Sequence, residues 1–190
     1  MALCRIPAKL SRLACTRDNK GTKPRQGVFH TNNFTPELLA ILRDKGVTIC
    51  ELSLDVGLAT FQPIRTESVE DHPMLSENYI ISKETAKSIN DSIQENQAIT
   101  AVGTTSVRAL ESAFEEGQVR EGGFATDLFI YPGYEFKAVD RLLTNFHLPK
   151  STLLMLVSAF AGKDFTLKAY REAVGKKYRF YSYGDCMLII

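Results

Sequence analysis

Short apolar runs alternate along this chain with stretches of helical period, and that alternation constrains the fold more than any other feature. Residues 34–46 read as a helix. Thr35 can cap it, Pro36 suits its first position and Glu37 lies where the helix dipole favours a carboxylate. Leu38, Leu39 and Leu42 form the apolar stripe, and Gly46 ends it. Residues 47–54 (VTICELSL) read as a strand. Ser82 opens a second helix with Ala86, Ile89 and Ile93 on one face. The apolar strand 99–102 runs straight into Gly103-Thr104-Thr105-Ser106, and a helix continues from Val107 to Phe114. Strands are expected at 126–131 (TDLFIY) and 139–143, a helix capped by Ser151 over 152–161, and another over 166–176. Two last strands are expected at 178–183 and 187–190. Hairpin signals are few, so the pattern predicts an α/β fold: a mainly parallel sheet with flanking helices.

Composition sets the limits. The chain has 190 residues and 44% apolar content, enough for one domain with a real core. Residues 28–190 are expected to form it. Residues 1–27 are expected to be a disordered or atypical segment, because 17–26 (RDNKGTKPRQ) is polar and broken by Gly21 and Pro24. That stretch reads either as a flexible tail or as a basic arm touching RNA phosphate. Lys and Arg number 23 against 22 Asp and Glu, a net charge of +1, so bulk charge does not point to nucleic acid. Cys4, Cys15, Cys50 and Cys186 show no C-x-x-C spacing, and His30, His72 and His147 lie far apart, so no metal site is expected. No apolar run approaches the roughly 18 residues of a membrane span. Arg5, Lys9 and Arg12 interrupt the start where a signal peptide would be apolar. A soluble cytoplasmic monomer with no membrane partner is expected.

Four clusters could carry chemistry. Gly103, Thr104, Thr105 and Ser106 join a strand to a helix, where open α/β sheets bind ligands and where backbone N–H groups and hydroxyls can cradle an anion or a ribose. Such turns are also common without a ligand. Arg108, just inside the helix, could pair with an anion or make an ordinary surface ion pair. The loop 144–151 (TNFHLPKS) gathers an amide at Asn145, an imidazole at His147, an ammonium and hydroxyls before an apolar helix; a turn-and-cap cluster explains it equally well. In the acidic stretch 70–77, Glu77 stands out, two residues before Tyr79. In 178–185 (YRFYSYGD) aromatic residues alternate with charge; Tyr183 and Asp185 could help seat a purine, or the stretch is a half-buried strand.

Taken in order, the strings 101–112 (AVGTTSVRALES), 126–162 (TDLFIYPGYEFKAVDRLLTNFHLPKSTLLMLVSAFAG) and 178–189 (YRFYSYGDCMLI) resemble the S-adenosylmethionine:tRNA ribosyltransferase-isomerase family of queuosine biosynthesis. A looser match at 60–79 extends the likeness to about residues 34–190. The resemblance implies transfer and isomerisation of the ribosyl part of S-adenosylmethionine onto 7-aminomethyl-7-deazaguanine in tRNA, giving epoxyqueuosine, adenine and methionine. S-adenosylmethionine is then a substrate; no cofactor or metal is implied. It further implies catalytic roles for Arg108, Asn145 and His147, and substrate binding by Gly103, Thr104, Thr105, Ser106, Glu77, Tyr183 and Asp185.

Departures from the family pattern are local. Asn33 stands where the family has the histidine of a Pro-Thr-Ala-Gly-Leu-His-type motif. Asp55 and Ala59 replace the histidine and second glycine of His-Val-Gly-x-Gly-Thr-Phe, and Leu75 replaces the histidine of Met-His-Ser-Glu. The family's small β-barrel domain is expected to be lacking from the fold of these 190 residues. A truncated, catalytically impaired relative that binds nucleoside or tRNA, or that is vestigial, is the alternative reading.

Overall fold

The computed structural model describes residues 12–18, 28–29, 34–55, 64, 66, 68–180 and 185–190. Its centre is an eight-stranded sheet. The strands are β1 (Arg12–Asp18), β2 (Val28–Phe29), β3 (Thr48–Leu54), β4 (Glu77–Ile81), β5 (Ile99–Val102), β8 (Gly122–Thr126), β9 (Arg141–Asn145) and β10 (Cys186–Ile189). They run in the order β10-β9-β5-β1-β3-β4-β8, with β2 added on β1. The four middle strands β9, β5, β1 and β3 are parallel, and the pairings that flank them are antiparallel. Such a sheet fits the expected α/β class, with its parallel part in the middle. Two further strands, β6 (Phe114–Glu115) and β7 (Gln118–Val119), make a hairpin on Glu116 and Gly117, both at positive φ.

Alternation along the strands builds two cores. Ala101, Leu52 and Leu142 face the larger one, where α2 (Lys83–Gln94), α3 (Thr104–Ala113), α4 (Thr152–Ala161) and α5 (Lys163–Gly175) contribute Ile89, Leu110, Leu156 and Ala173. Val102, Ile49 and Leu143, at alternate positions of the same strands, point the other way, to Leu38 and Leu42 of α1 (Pro36–Asp44). The expected caps form as chemistry requires. Thr35, Ser82 and Ser151 accept from the N–H groups of Leu38, Thr85 and Leu154 at 3.3, 3.1 and 3.1 Å.

Three expectations need correction. The strand expected at 126–131 does not form: Thr126 is the last residue of β8, and 127–131 lie outside any strand. The ladder of β8 on β4 ends at the Thr126–Glu77 rung, because β4 begins at Glu77 and offers no partner beyond it. Leu128 and Ile130 still turn to the core, which is why the sequence alternates without a ladder. Residues 178–180 are likewise outside any strand: Tyr178 and Phe180 pack against Phe146 instead, and 181–183 lie outside the described residues. The expected strand at 139–143 is β9, shifted to 141–145, since Asp140 is spent bonding Ile99 through both backbone and carboxylate. Within the segment 1–27, residues 12–18 form β1, hydrogen-bonded on one side to β3 and on the other to β5.

Candidate functional site

The parallel strands all end at one edge of the sheet. The turn after β5 and the turn after β9 lie side by side there, because the Gly103 N–H donates to the Leu143 carbonyl at 2.8 Å. Glu77, at the start of antiparallel β4, reaches the same edge from the other direction: the Asp55 N–H, just past β3, donates to the Asn78 carbonyl at 2.8 Å. The Ile64 N–H donates to the Lys150 carbonyl at 2.8 Å, tying residue 64 to the loop after β9. Open α/β sheets bind ligands at this edge, and β1 has β5 on one side and β3 on the other, so the strand order reverses about it.

Gly103 is the N-cap of α3 at φ 90, a conformation that glycine adopts without strain, and no side chain caps this helix. Gly103 and Thr105 are partly exposed, whereas Thr104 is buried. Ser106 is fully buried and donates its hydroxyl to the Val102 carbonyl at 2.7 Å, so that oxygen serves the turn.

Arg108 and Glu77 come together. Both are buried, and the guanidinium Nη1 donates to Glu77 Oε2. Its Nε donates to the Leu128 carbonyl at 3.0 Å and its Nη2 to the Thr126 carbonyl at 3.5 Å. The carbonyls left over where the β8 ladder stops are therefore met by a charged fork. Thr126 Oγ1 also accepts from the Leu128 N–H at 3.1 Å and shares a hydrogen bond with Ser112. One turn along α3, the buried Glu111 carboxylate accepts from the N–H groups of Lys137, Ala138 and Val139 at 2.9, 3.0 and 3.1 Å, and from the Tyr134 hydroxyl at 3.1 Å. Burial, the Glu111 charge and this bond together push the Tyr134 phenol up. Two buried charges of opposite sign on α3 thus hold the long irregular connection 127–140. The sequence alone offers Arg108 as an anion contact or a surface ion pair and does not mark Glu111. Its signal was only that a carboxylate sits in a helix that is otherwise buried.

Asn145 ends β9, and its Nδ2 donates to the Asp185 carbonyl at 3.3 Å. Asp185 in turn accepts from the Arg179 N–H at 2.8 Å and from its guanidinium at 2.9 Å, which holds the carboxyl below its usual range. His147 shares a 2.9 Å hydrogen bond between its Nε2 and the Thr144 hydroxyl, and its backbone N–H donates to the Tyr170 hydroxyl at 2.9 Å. Burial lowers its pKa to about 4, so near neutral pH it is an uncharged hydrogen-bonding ring and a weak base. Asp55 is exposed, and Leu75, where the family has histidine, is 61% exposed. Tyr183, Asn33 and Ala59 lie outside the described residues.

Beyond the residues picked from sequence, the edge carries Asp127, Phe129 and Tyr131, which alternate with the inward Leu128 and Ile130. Among the described residues no three His, Cys, Asp or Glu side chains gather as metal ligands, and no helix is long and apolar enough to cross a membrane.

Comparison with known proteins agrees with this architecture. The family model described as queuosine biosynthesis protein matches residues 30–189. S-adenosylmethionine:tRNA ribosyltransferase-isomerases from Natranaerobius thermophilus and Clostridium kluyveri are 54% and 56% identical over 158 residues, 83% of this chain and 46% of each relative. A crystal structure of S-adenosylmethionine tRNA ribosyltransferase from Thermotoga maritima matches with a TM-score of 0.67 and 48% identity, over 83% of this chain and 50% of that one. The chain thus spans about half the length of the curated relatives it matches. It belongs to the queuosine biosynthesis protein family.

Proposed function

We propose that this chain serves tRNA modification in queuosine biosynthesis. Its edge site would transfer the ribosyl part of S-adenosylmethionine to 7-aminomethyl-7-deazaguanine in tRNA and isomerise it to epoxyqueuosine, releasing adenine and methionine. The observation that carries this reading is the meeting of the 103–106 and 145–151 turns at the carboxyl edge through the Gly103–Leu143 hydrogen bond. The chemistry needs a base to take a proton beside the positive sulfur, donors to help adenine leave, and a surface for an RNA loop. Gly103, Thr104 and Thr105 supply backbone and hydroxyl groups for the ribose. Asn145 and neutral His147 act as hydrogen-bonding groups, and Asp185 orients Asn145. Arg108, Glu77 and Ser106 act by fixing the walls of the site. No cofactor or metal enters, and S-adenosylmethionine is consumed as a substrate. The protein would act as a cytoplasmic monomer. Ribose-labelled S-adenosylmethionine incubated with tRNA bearing the deazaguanine tests the reading: label should enter the tRNA while adenine is released, and a folded chain that transfers none refutes it.

A second reading has its own support. Asn33, Asp55, Ala59 and Leu75 replace residues of the family pattern. On that reading the protein binds nucleoside or tRNA without turnover. The triple variant Asn33→His, Asp55→His, Leu75→His separates the two: turnover gained only on restoration marks a damaged enzyme, and binding that persists without turnover marks a binding protein.

A further inference from the structure

The outer face of residues 127–131 has no part in the roles above. Leu128 packs on the core and Ile130 is 1% exposed, while Asp127, Phe129 and Tyr131 beside them do not join that core. Asp127 is exposed, and the two rings are partly exposed. The Phe129 and Tyr131 ring centres are 5.2 Å apart, and the His72 ring meets Phe129 edge-on at 5.4 Å. The backbone beneath is fixed at both ends. Arg108 grips the Thr126 and Leu128 carbonyls. A turn at Pro132-Gly133, with Gly133 at φ 106, is closed by the Tyr134 N–H donating to the Tyr131 carbonyl at 3.1 Å. The result is a shelf of two partly exposed rings tilted at 50° to one another, with an exposed carboxylate two residues before Phe129.

That combination selects a ligand chemistry. Aromatic side chains stack with any nucleobase. A carboxylate accepts two neighbouring N–H groups at once but offers no donor. Adenine and cytosine set a ring acceptor beside their amino group, and uracil sets carbonyls on both sides of its N–H. Guanine-type bases alone set a ring N–H beside an amino group. A base in a stacked strand cannot reach such a shelf, so it must turn out of an RNA loop.

We propose that Asp127, Phe129 and Tyr131 form the seat of a guanine-type base turned out of an RNA strand, the Phe129 ring stacking on it, the tilted Tyr131 ring closing one side and the carboxylate reading its N–H edge. The proposal rests on the tRNA-modifying reading given above and adds to it the residues that choose the base.

Binding by the full chain tests it. The probes are an anticodon stem–loop RNA carrying 7-aminomethyl-7-deazaguanine, the same RNA with adenosine at that position, and S-adenosylmethionine alone. The wild-type chain should prefer the deazaguanine loop by about tenfold or more, the worth of a paired polar edge. Asp127→Asn should abolish that preference, since an amide puts a donor against one of the N–H groups, and should leave the melting temperature unchanged. Phe129→Leu should weaken both loops by roughly tenfold, the loss of one stacking partner. Neither variant should change S-adenosylmethionine binding. If both variants keep the wild-type preference and affinity, the seat is elsewhere and only this proposal falls. Loss of S-adenosylmethionine affinity with loop binding kept would give the rings to the donor's adenine and also overturn it. A wild-type chain that does not distinguish the two loops would remove the proposal together with the reading beneath it.

Discussion

Glu77 on β4 and Arg108 on α3 form an ion pair in which each side chain is only 3% exposed. It joins an edge-side strand to a helix of the large core and anchors the backbone that leaves β8. Removing one partner leaves a buried charge alone, at a cost of about 3–5 kcal/mol. Glu77→Ala and Arg108→Met should each lower unfolding free energy by that order in urea titrations. The double variant Glu77→Ala, Arg108→Met should lose less than the two single losses added together, because it leaves no orphaned charge. Arg108→Lys keeps the charge but not the fork, and should loosen residues 126–128 in amide exchange.

Glu111 serves a different group of atoms. Its carboxylate is the acceptor for three successive backbone N–H groups, Lys137 to Val139. Glu111→Ala leaves them without a protein acceptor, which should cost roughly 3 kcal/mol and speed exchange of those amides first. Exchange rates at 137–139 that match the wild type would show that the loop is held by other contacts.

How much of this was legible in the sequence depends on where the partners lie. Caps at Thr35, Ser82 and Ser151 act within three residues, so local residue types give them away. The Gly103 turn was legible for the same reason. Residues 127–131 were misjudged because their alternation is real while the missing neighbour strand is a property of β4, far away in sequence. Polar residues 17–26 hid β1, whose pairing with β3 and β5 is a tertiary fact. The Glu77–Arg108 pair spans 31 positions and has no local signature, so the sequence offers Arg108 as an anion contact or a surface ion pair and not as the partner of Glu77. The role of the 178–180 aromatics is a tertiary fact of the same kind: Phe180 packs against Phe146 and Tyr170, both far away in sequence or in another element.

His147 makes stability depend on pH with a definite sign. Burial lowers its pKa to about 4 from the ordinary 6.5. Between those values the unfolded chain takes up a proton that the folded chain excludes. The contribution is therefore whole above pH 6.5 and is lost as pH falls toward 4, by at most roughly 3 kcal/mol. Urea midpoints measured above and below this window should diverge less for His147→Gln than for the wild type. Its imidazole proton resonances should not titrate near neutral pH; titration there would mean that the ring is open to water.

Ligands are expected to sit at the carboxyl edge of the parallel strands. Amide hydrogen exchange of the chain, alone and with S-adenosylmethionine and the deazaguanine-bearing tRNA, tests that most directly. Protection should appear at 103–106, 127–131 and 145–151, and the opposite edge at 96–99 and 137–141 should be unchanged. Protection confined to that opposite edge, or an unchanged pattern under conditions where binding is measured independently, would contradict it.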